Sequence, residues 1–150
     1  MSTTGNRTTY SSFNEQLIAD LRAHGGQATS GPFVGRPVLI LTTVGARSGQ
    51  RRETPLAYTR DGENYVVIAS KGGAPTHPAW YHNLLATPTV TVEVLGERFE
   101  ARARVAEGEE HDRLYENQAR LMPAFADYQR KTARKIPVIV LERTVPPATA

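Results

Sequence analysis

The stretch that most constrains the fold is Val38-Leu-Ile-Leu-Thr-Thr-Val44. Its β-branched and aliphatic residues do not alternate with polar ones, so it reads as a strand hidden on both faces. A strand of this kind needs cover on each side. Upstream, Ser12 followed by Glu15 has the form of a capping box, and Phe13, Leu17, Ile18 and Leu21 fall at helical spacing before Gly25-Gly26. This predicts an amphipathic helix from about Phe13 to Ala23 that covers one open side of a sheet.

Downstream of the Gly45 to Gln50 loop, Arg52 to Thr59 and Asn64 to Ser70 flank Asp61-Gly62, a hairpin turn signal. Lys71 to Pro78 is too rich in Gly and Pro for a strand, and Pro78 suits the start of a short helix from Ala79 to about Ala86 that Pro88 closes. Val90, Val92 and Val94 alternate with polar residues. So do Phe99, Ala101, Ala103 and Val105, across a turn read at Gly96-Glu97, giving a second hairpin with one wet face. Acidic residues from Glu107 open a helix with Leu114, Gln118, Leu121 and Met122 along one stripe, and a second short helix runs to Thr132 after Pro123. The last strand is Ile136 to Glu142, with Pro137 tolerable at its first positions. Six strands with helices inserted after the third and fifth predict an α+β fold, a small antiparallel barrel with flanking helices. The expected division is a tail and helix over 1–34, the barrel over 35–143 and a loose tail over 144–150.

A chain of 150 residues fits one domain. Met1 to Thr9 is polar, so no signal peptide is read there, and no apolar run approaches the roughly 20 residues of a membrane span. A cytoplasmic protein is the expectation, with contact of the N-terminal segment with the inner face of a membrane left open. Having no cysteine, the chain lacks disulfides, thiolate nucleophiles and Cys-ligated metals. The net charge of +3 is unevenly spread. From Leu21 to Arg52 there is no Asp or Glu, while arginines accumulate and Arg47, Arg51 and Arg52 crowd one short turn.

Three segments carry candidate chemistry. Gly45-Ala-Arg-Ser-Gly-Gln-Arg-Arg52 combines glycines, a hydroxyl and guanidinium forks. It suits an anion cradle, and equally a tight hairpin loop with solvated arginines; it does not match the P-loop pattern. Ser70-Lys71-Gly72-Gly73 reads as a turn, or as backbone amides and one ammonium gripping a second anionic or carbonyl group. Pro78-Ala-Trp-Tyr-His-Asn-Leu-Leu85 puts Trp80 and Asn83 on one helix face, Leu84 and Leu85 inward, and the Asn83 amide in need of partners that a planar heterocycle could supply. Tyr115, Phe125 and Tyr128 suit either core or an apolar substrate pocket. The four histidines have no metal-ligand spacing and read as surface or loop residues, so no metal is expected. No Ser/His/Asp arrangement or adjacent carboxylate pair indicates hydrolysis.

Taken in order, Leu41 to Arg52, Ala69-Ser-Lys-Gly-Gly73, His77-Pro-Ala-Trp-Tyr-His-Asn83 and the closing strand from Ile136-Pro-Val138 resemble the deazaflavin-dependent nitroreductase family over about Gly35 to Glu142. The resemblance implies a split β-barrel, like that of FMN-binding proteins, and reduced coenzyme F420 as hydride donor to a quinone or other electron-poor planar acceptor, nitroaromatics in some members. It implies that Arg47, Ser48 and Arg52, with Ala46 alongside, contact the phosphate and polyglutamate tail. Arg52, Glu53, Thr54, Pro55, Leu56 and Ala57, with Ile68, Ala69, Ser70 and Lys71, would line the deazaflavin and ribityl chain, largely through backbone. Ala79, Trp80, Tyr81, His82 and Asn83 would close the pocket. Phe125 and Tyr128 would face the acceptor, with Tyr128 as candidate proton donor. Phe125 and Met122 stand where tyrosines occur in the best-known nitroreducing members. FMN in a similar groove is the alternative cofactor. A basic barrel holding single-stranded nucleic acid would need aromatic residues interleaved on an exposed strand face, and none are patterned so.

Overall fold

The computed structural model describes residues 4–144, and side chains from residue 12 onward. The expected C-terminal tail beyond 144 lies outside the described residues. Helix α1 is Thr4–Ala23, longer than predicted. Ser12 and Glu15 therefore sit inside it and form no cap. Its C-terminus matches the reading: Gly25 and Gly26 take φ of +66° and +92°, and the Gly26 N–H donates to Leu21 O at 2.7 Å, closing the last turn.

Strands β1 (Val38–Val44) and β2 (Arg51–Ala57) form the first hairpin. After Tyr58 comes β3 (Thr59–Asp61), which turns at Gly62 into β4 (Asn64–Ile68). A 3-10 turn (Lys71–Gly73) leads to α2 (Ala79–Ala86), then to the hairpin of β5 (Thr89–Val94) and β6 (Glu97–Val105). Helices α3 (Gly108–Leu121) and α4 (Ala124–Arg130) precede β7 (Val138–Arg143). The order across the antiparallel sheet is β2-β1-β5-β6-β7-β4-β3.

The expected single strand from Arg52 to Thr59 is thus two, at opposite ends of the sheet. Only Tyr58 separates them, so the chain itself joins the two sheet edges, and the curled sheet closes as a split barrel with six strand positions. Tyr58 is the corner. Its N–H donates to Pro37 O at 3.2 Å, and its ring meets Tyr65 edge-on with centroids 5.3 Å apart. Just past it, Thr59 Oγ1 donates to Oε1 of the fully buried Gln118.

Alternation sorts the side chains into three packed regions. Leu39 and Leu41 of β1 point into the barrel with Val67, Val90, Val92, Ala101, Ile139 and Leu141, closed at one end by Trp80 and Leu84 of α2. Val38 and Ile40 point outward under Leu17, Ile18 and Leu21 of α1. Val66, Ile68, Val138 and Val140 are covered by Leu114 and Tyr115 of α3, with Phe125 and Tyr128 of α4. The prediction that β1 is buried on both faces holds, as does the wet face of β5 and β6. Four residues depart from expectation. Phe13, expected on the covering face of α1, is 40% exposed, with its ring 6.3 Å from that of Phe33. Leu121 and Leu85 are exposed at the ends of their helices, and His111 is buried, its Nε2 within 2.8 Å of Ile136 O. The second hairpin turns at Leu95-Gly96, both at positive φ, because a two-residue loop of this hand matches the strand twist. No helix among the described residues is long and apolar enough to cross a membrane.

The segment after α1 is seated against that turn. A methyl group added at Gly26 would meet Leu95 Cα and N at 2.5 Å, whereas one at Gly25 meets nothing within 4 Å. Gly25→Ala is expected to cost about 1–2 kcal/mol from its left-handed backbone alone. Gly26→Ala adds a backbone clash and should cost clearly more in urea denaturation of the two variants.

Candidate functional site

A groove of about 1140 Å³ runs between α1, the β1–β2 loop, the start of β2 and α2. Its walls follow from the pairing of β1 and β2. Opposed residues in an antiparallel pair share a face, so Thr43 and Arg52 lie together on the α2 side with Thr54, while Thr42 and Glu53 lie on the α1 side. Asn14, Glu15 and Ile18 of α1 form the far wall, and Ala79, Trp80, His82 and Asn83 of α2 the near one.

The loop between the strands is built tightly. Gly45 N–H donates to Gln50 O at 2.7 Å and Gly49 N–H to Gly45 O at 2.9 Å, with Gly49 at φ +72°. Ser48 Oγ accepts from the Gln50 N–H at 3.1 Å, and a side chain at residue 45 would lie 2.6 Å from that oxygen. Asn83, 8% exposed, reaches this loop from α2: its Oδ1 accepts from the Ala46 N–H at 2.9 Å, and its Nδ2 donates to Thr43 Oγ1 at 3.2 Å. Its amide is therefore satisfied within the chain, where the sequence reading looked to a heterocycle.

Charge in the groove is sorted. Arg47, Arg51 and Arg52 are exposed and make no hydrogen bond or ion pair among the described residues, leaving their donors directed outward. Glu53 is held instead by Arg22 of α1 at 2.6 Å, and the same guanidinium binds Glu93 of β5 at 2.7 Å. These bonds, with Glu93 first, push the Arg22 pKa further up, and Arg22 holds the Glu93 carboxyl below its ordinary value.

Of the residues singled out from sequence, Ala46, Arg47, Ser48, Arg52, Glu53, Thr54, Ala79, Trp80, His82 and Asn83 line this groove. Pro55, Leu56 and Ala57 continue β2 beyond its lining, and Tyr81 is half-buried with its ring 4.7 Å from that of His77. Ile68, Ala69 and Ser70 are buried at the end of β4, followed by Lys71, whose Nζ lies 3.3 Å from Thr76 Oγ1. Phe125 and Tyr128 also lie outside the lining. They sit on α4, ring against ring at 5.1 Å, with Tyr128 O beside Gly73. Sequence reasoning missed Asn14 and Ile18, which helical periodicity assigned only to cover or surface, and the pairing of Arg22 with Glu53 and Glu93. It also missed Arg134, whose guanidinium bonds the 69–77 segment.

Residues 15–143 match the model of the family described as F420H(2)-dependent quinone reductase. An F420H(2)-dependent quinone reductase of Mycobacterium tuberculosis strain H37Rv is 44% identical over 113 residues, covering 71% of this chain and 74% of the relative. A solved F420-H2 dependent reductase shares 42% identity and superposes with a TM-score of 0.66, over 71% of this chain and 95% of that one. A heme storage protein of Vibrio cholerae, 16% identical at a TM-score of 0.58 over 87% and 90% of the two chains, shares the fold alone.

Two measurements test the local architecture. Asn83→Ala leaves the Ala46 N–H without its acceptor, and is expected to cost about 1–3 kcal/mol and to speed hydrogen exchange at that amide. His77 Nδ1 accepts from Arg134 at 2.8 Å, so the ring is neutral; burial first, then Arg134 and His82, lower its pKa. A histidine lowered in the folded state contributes stability above its unfolded pKa of about 6.5 and loses it as pH falls through the folded value. Thermal midpoints are expected to fall as pH drops below about 6.5 in the wild type. They should stay flatter there in His77→Gln, which keeps an acceptor without the titration.

Proposed function

The chain belongs to the F420H(2)-dependent quinone reductase family, and from that premise we propose that its groove binds reduced F420 with the arginine loop at the tail end and carries out hydride transfer to a quinone. One observation carries the assignment: three guanidinium groups without partners among the described residues surround one end of a groove whose side is the indole of Trp80. Unpaired arginines clustered on a short loop repel one another, and that arrangement suits a ligand with several negative charges. The groove is large enough for a dinucleotide-sized molecule.

The bound cofactor supplies the hydride chemistry, while the protein binds, orients and excludes water. In this reading Arg47 and Arg52 hold the phosphate and carboxylates of the tail, with Ala46 alongside. Ser48 acts through the loop it folds, its oxygen already accepting from the Gln50 N–H. Asn83 likewise acts by tying the loop to α2. The β2 backbone from Glu53 to Ala57 and the Ile68 to Lys71 segment flank the ring system, and Ala79 to His82 close over it. Trp80, 6% exposed and packed on Leu84 and the barrel interior, offers a wall that cannot swing away. Tyr128 and Phe125, beyond the Lys71–Gly73 turn, mark the acceptor end. The Tyr128 hydroxyl makes no hydrogen bond among the described residues, which suits a proton donor.

The test follows absorbance of reduced F420 against menaquinone analogues and nitroaromatics. Turnover with the quinones is the expected result, and failure of the wild type to bind F420 in a titration defeats the reading. Arg47→Ala and Arg52→Ala should each weaken F420 binding about 10- to 100-fold, the loss of a charge-assisted hydrogen bond. The effect should shrink as salt rises, because it is screened.

A further inference from the structure

Arg134 lies between α4 and β7, outside every motif that drew attention in the sequence. Its guanidinium is half-buried and its hydrogen bonds all run to one segment. Nε donates to Ala74 O at 2.9 Å, Nη1 to His77 Nδ1 at 2.8 Å and to Ala69 O at 3.3 Å, and Nη2 to Ser70 O at 2.8 Å and to Ala69 O at 3.3 Å. These contacts employ all five N–H donors of the side chain. No carboxylate pairs with it among the described residues, and burial lowers its pKa. The residue is itself fixed: Gln129 Nε2 donates to Arg134 O at 2.8 Å, and Gln129 Oε1 accepts from the Ile136 N–H at 3.1 Å.

The segment it grips is strained. Lys71, Gly72 and Gly73 all take positive φ, at 48°, 64° and 84°. A lysine in that region costs of order 1 kcal/mol, and such conformations persist only where surroundings impose them. The grip also sets direction. In a trans peptide the C=O of one residue and the N–H of the next point opposite ways, and no peptide bond described here is cis. With Ala69 O and Ser70 O turned to Arg134, the N–H groups of Ser70 and Lys71 point away from it. Neither has an acceptor among the described residues, although Ser70 is 7% exposed. A buried N–H without an acceptor is costly, and an electron-rich atom of a ligand relieves it.

We infer that Arg134 is a positioning residue of the cofactor site: by holding the 69–77 carbonyls and His77 on one side, it fixes the strained turn and aims the Ser70 and Lys71 amides at an electron-rich oxygen of bound F420. This rests on the cofactor reading above. Arg134 itself touches no cofactor atom in this arrangement, and acts through the turn.

The test compares wild type, Arg134→Gln and Arg134→Lys by F420 titration and by steady-state kinetics, at a temperature where thermal unfolding shows each protein folded. Arg134→Gln is expected to raise the Kd for F420 about tenfold, the loss of one or two net hydrogen bonds, with a matching rise in KM for F420 and a much smaller change in kcat. Arg134→Lys, which keeps the charge but not the planar fork, should fall between the two. If wild type binds F420 and both variants bind it within about twofold, the positioning role is overturned while the cofactor reading stands. If wild type does not bind F420, both fail. Should Arg134→Gln not fold, Arg134→Lys decides by the same criteria. Hydrogen exchange on the wild type adds a second readout: the Ser70 and Lys71 amides should become protected when F420 binds, and unchanged exchange overturns the proposal.

Discussion

The two-sided burial of β1 is the constraint on which the rest of the molecule depends. Leu39 and Leu41 commit one face to the barrel interior, where Trp80 and Leu84 close over them; Val38 and Ile40 commit the other to α1. Both helices that wall the groove are therefore packed on opposite sides of one strand. Fully burying each aliphatic side chain is worth about 1.5–3 kcal/mol, against about 1 kcal/mol net for a hydrogen bond. Packing thus sets where the groove is, and hydrogen bonds set its detail. The handover comes at Thr43, where the inward face of β1 turns polar and its hydroxyl takes the Asn83 amide that also holds Ala46.

Closure of the barrel is a second consequence. β2 lies outside β1 at a sheet edge, and an open edge exposes unpaired backbone. The chain resolves this at Tyr58, where β2 passes directly into β3 at the opposite edge. Gln118, from a helix 59 residues away in sequence, secures Thr59 just beyond that corner.

Much of this was legible wherever one period dominated a segment. The both-faces burial of β1, the alternation of β5 and β6, the Pro78 start of α2 and the glycine stop of α1 each rest on residues within a few positions of one another. The failures share a different cause. Ser12 and Glu15 look like a cap locally, yet the helix extends to Thr4. Tyr58 carries no bend signal of its own; the break depends on β2 and β3 finding partners at opposite ends of the sheet. His111 is polar by composition, but the helix places it beside the Ile136 carbonyl. In the basic run Arg130-Lys-Thr-Ala-Arg-Lys135, only three-dimensional structure separates Arg134, turned inward on carbonyls, from Arg130, paired with Asp127 at the surface.

The arginines of the acid-free stretch illustrate the same sorting, and explain why the groove keeps a positive end. Two carboxylates, Glu15 and Glu53, line it beside Arg47, Arg51 and Arg52. Left alone, Glu53 lies next in sequence to Arg52 and within the roughly 10 Å over which charges act at ordinary salt. Arg22 occupies it instead, bridging Glu53 and Glu93 with donors from both ends of its fork. One arginine of that stretch is spent on the fold, anchoring α1 across β2 and β5. Because it is, Arg47 and Arg52 keep their donors unengaged at the mouth of the groove. The tilt toward an anion is therefore a property of the docked α1 helix as much as of the loop that carries the guanidinium groups.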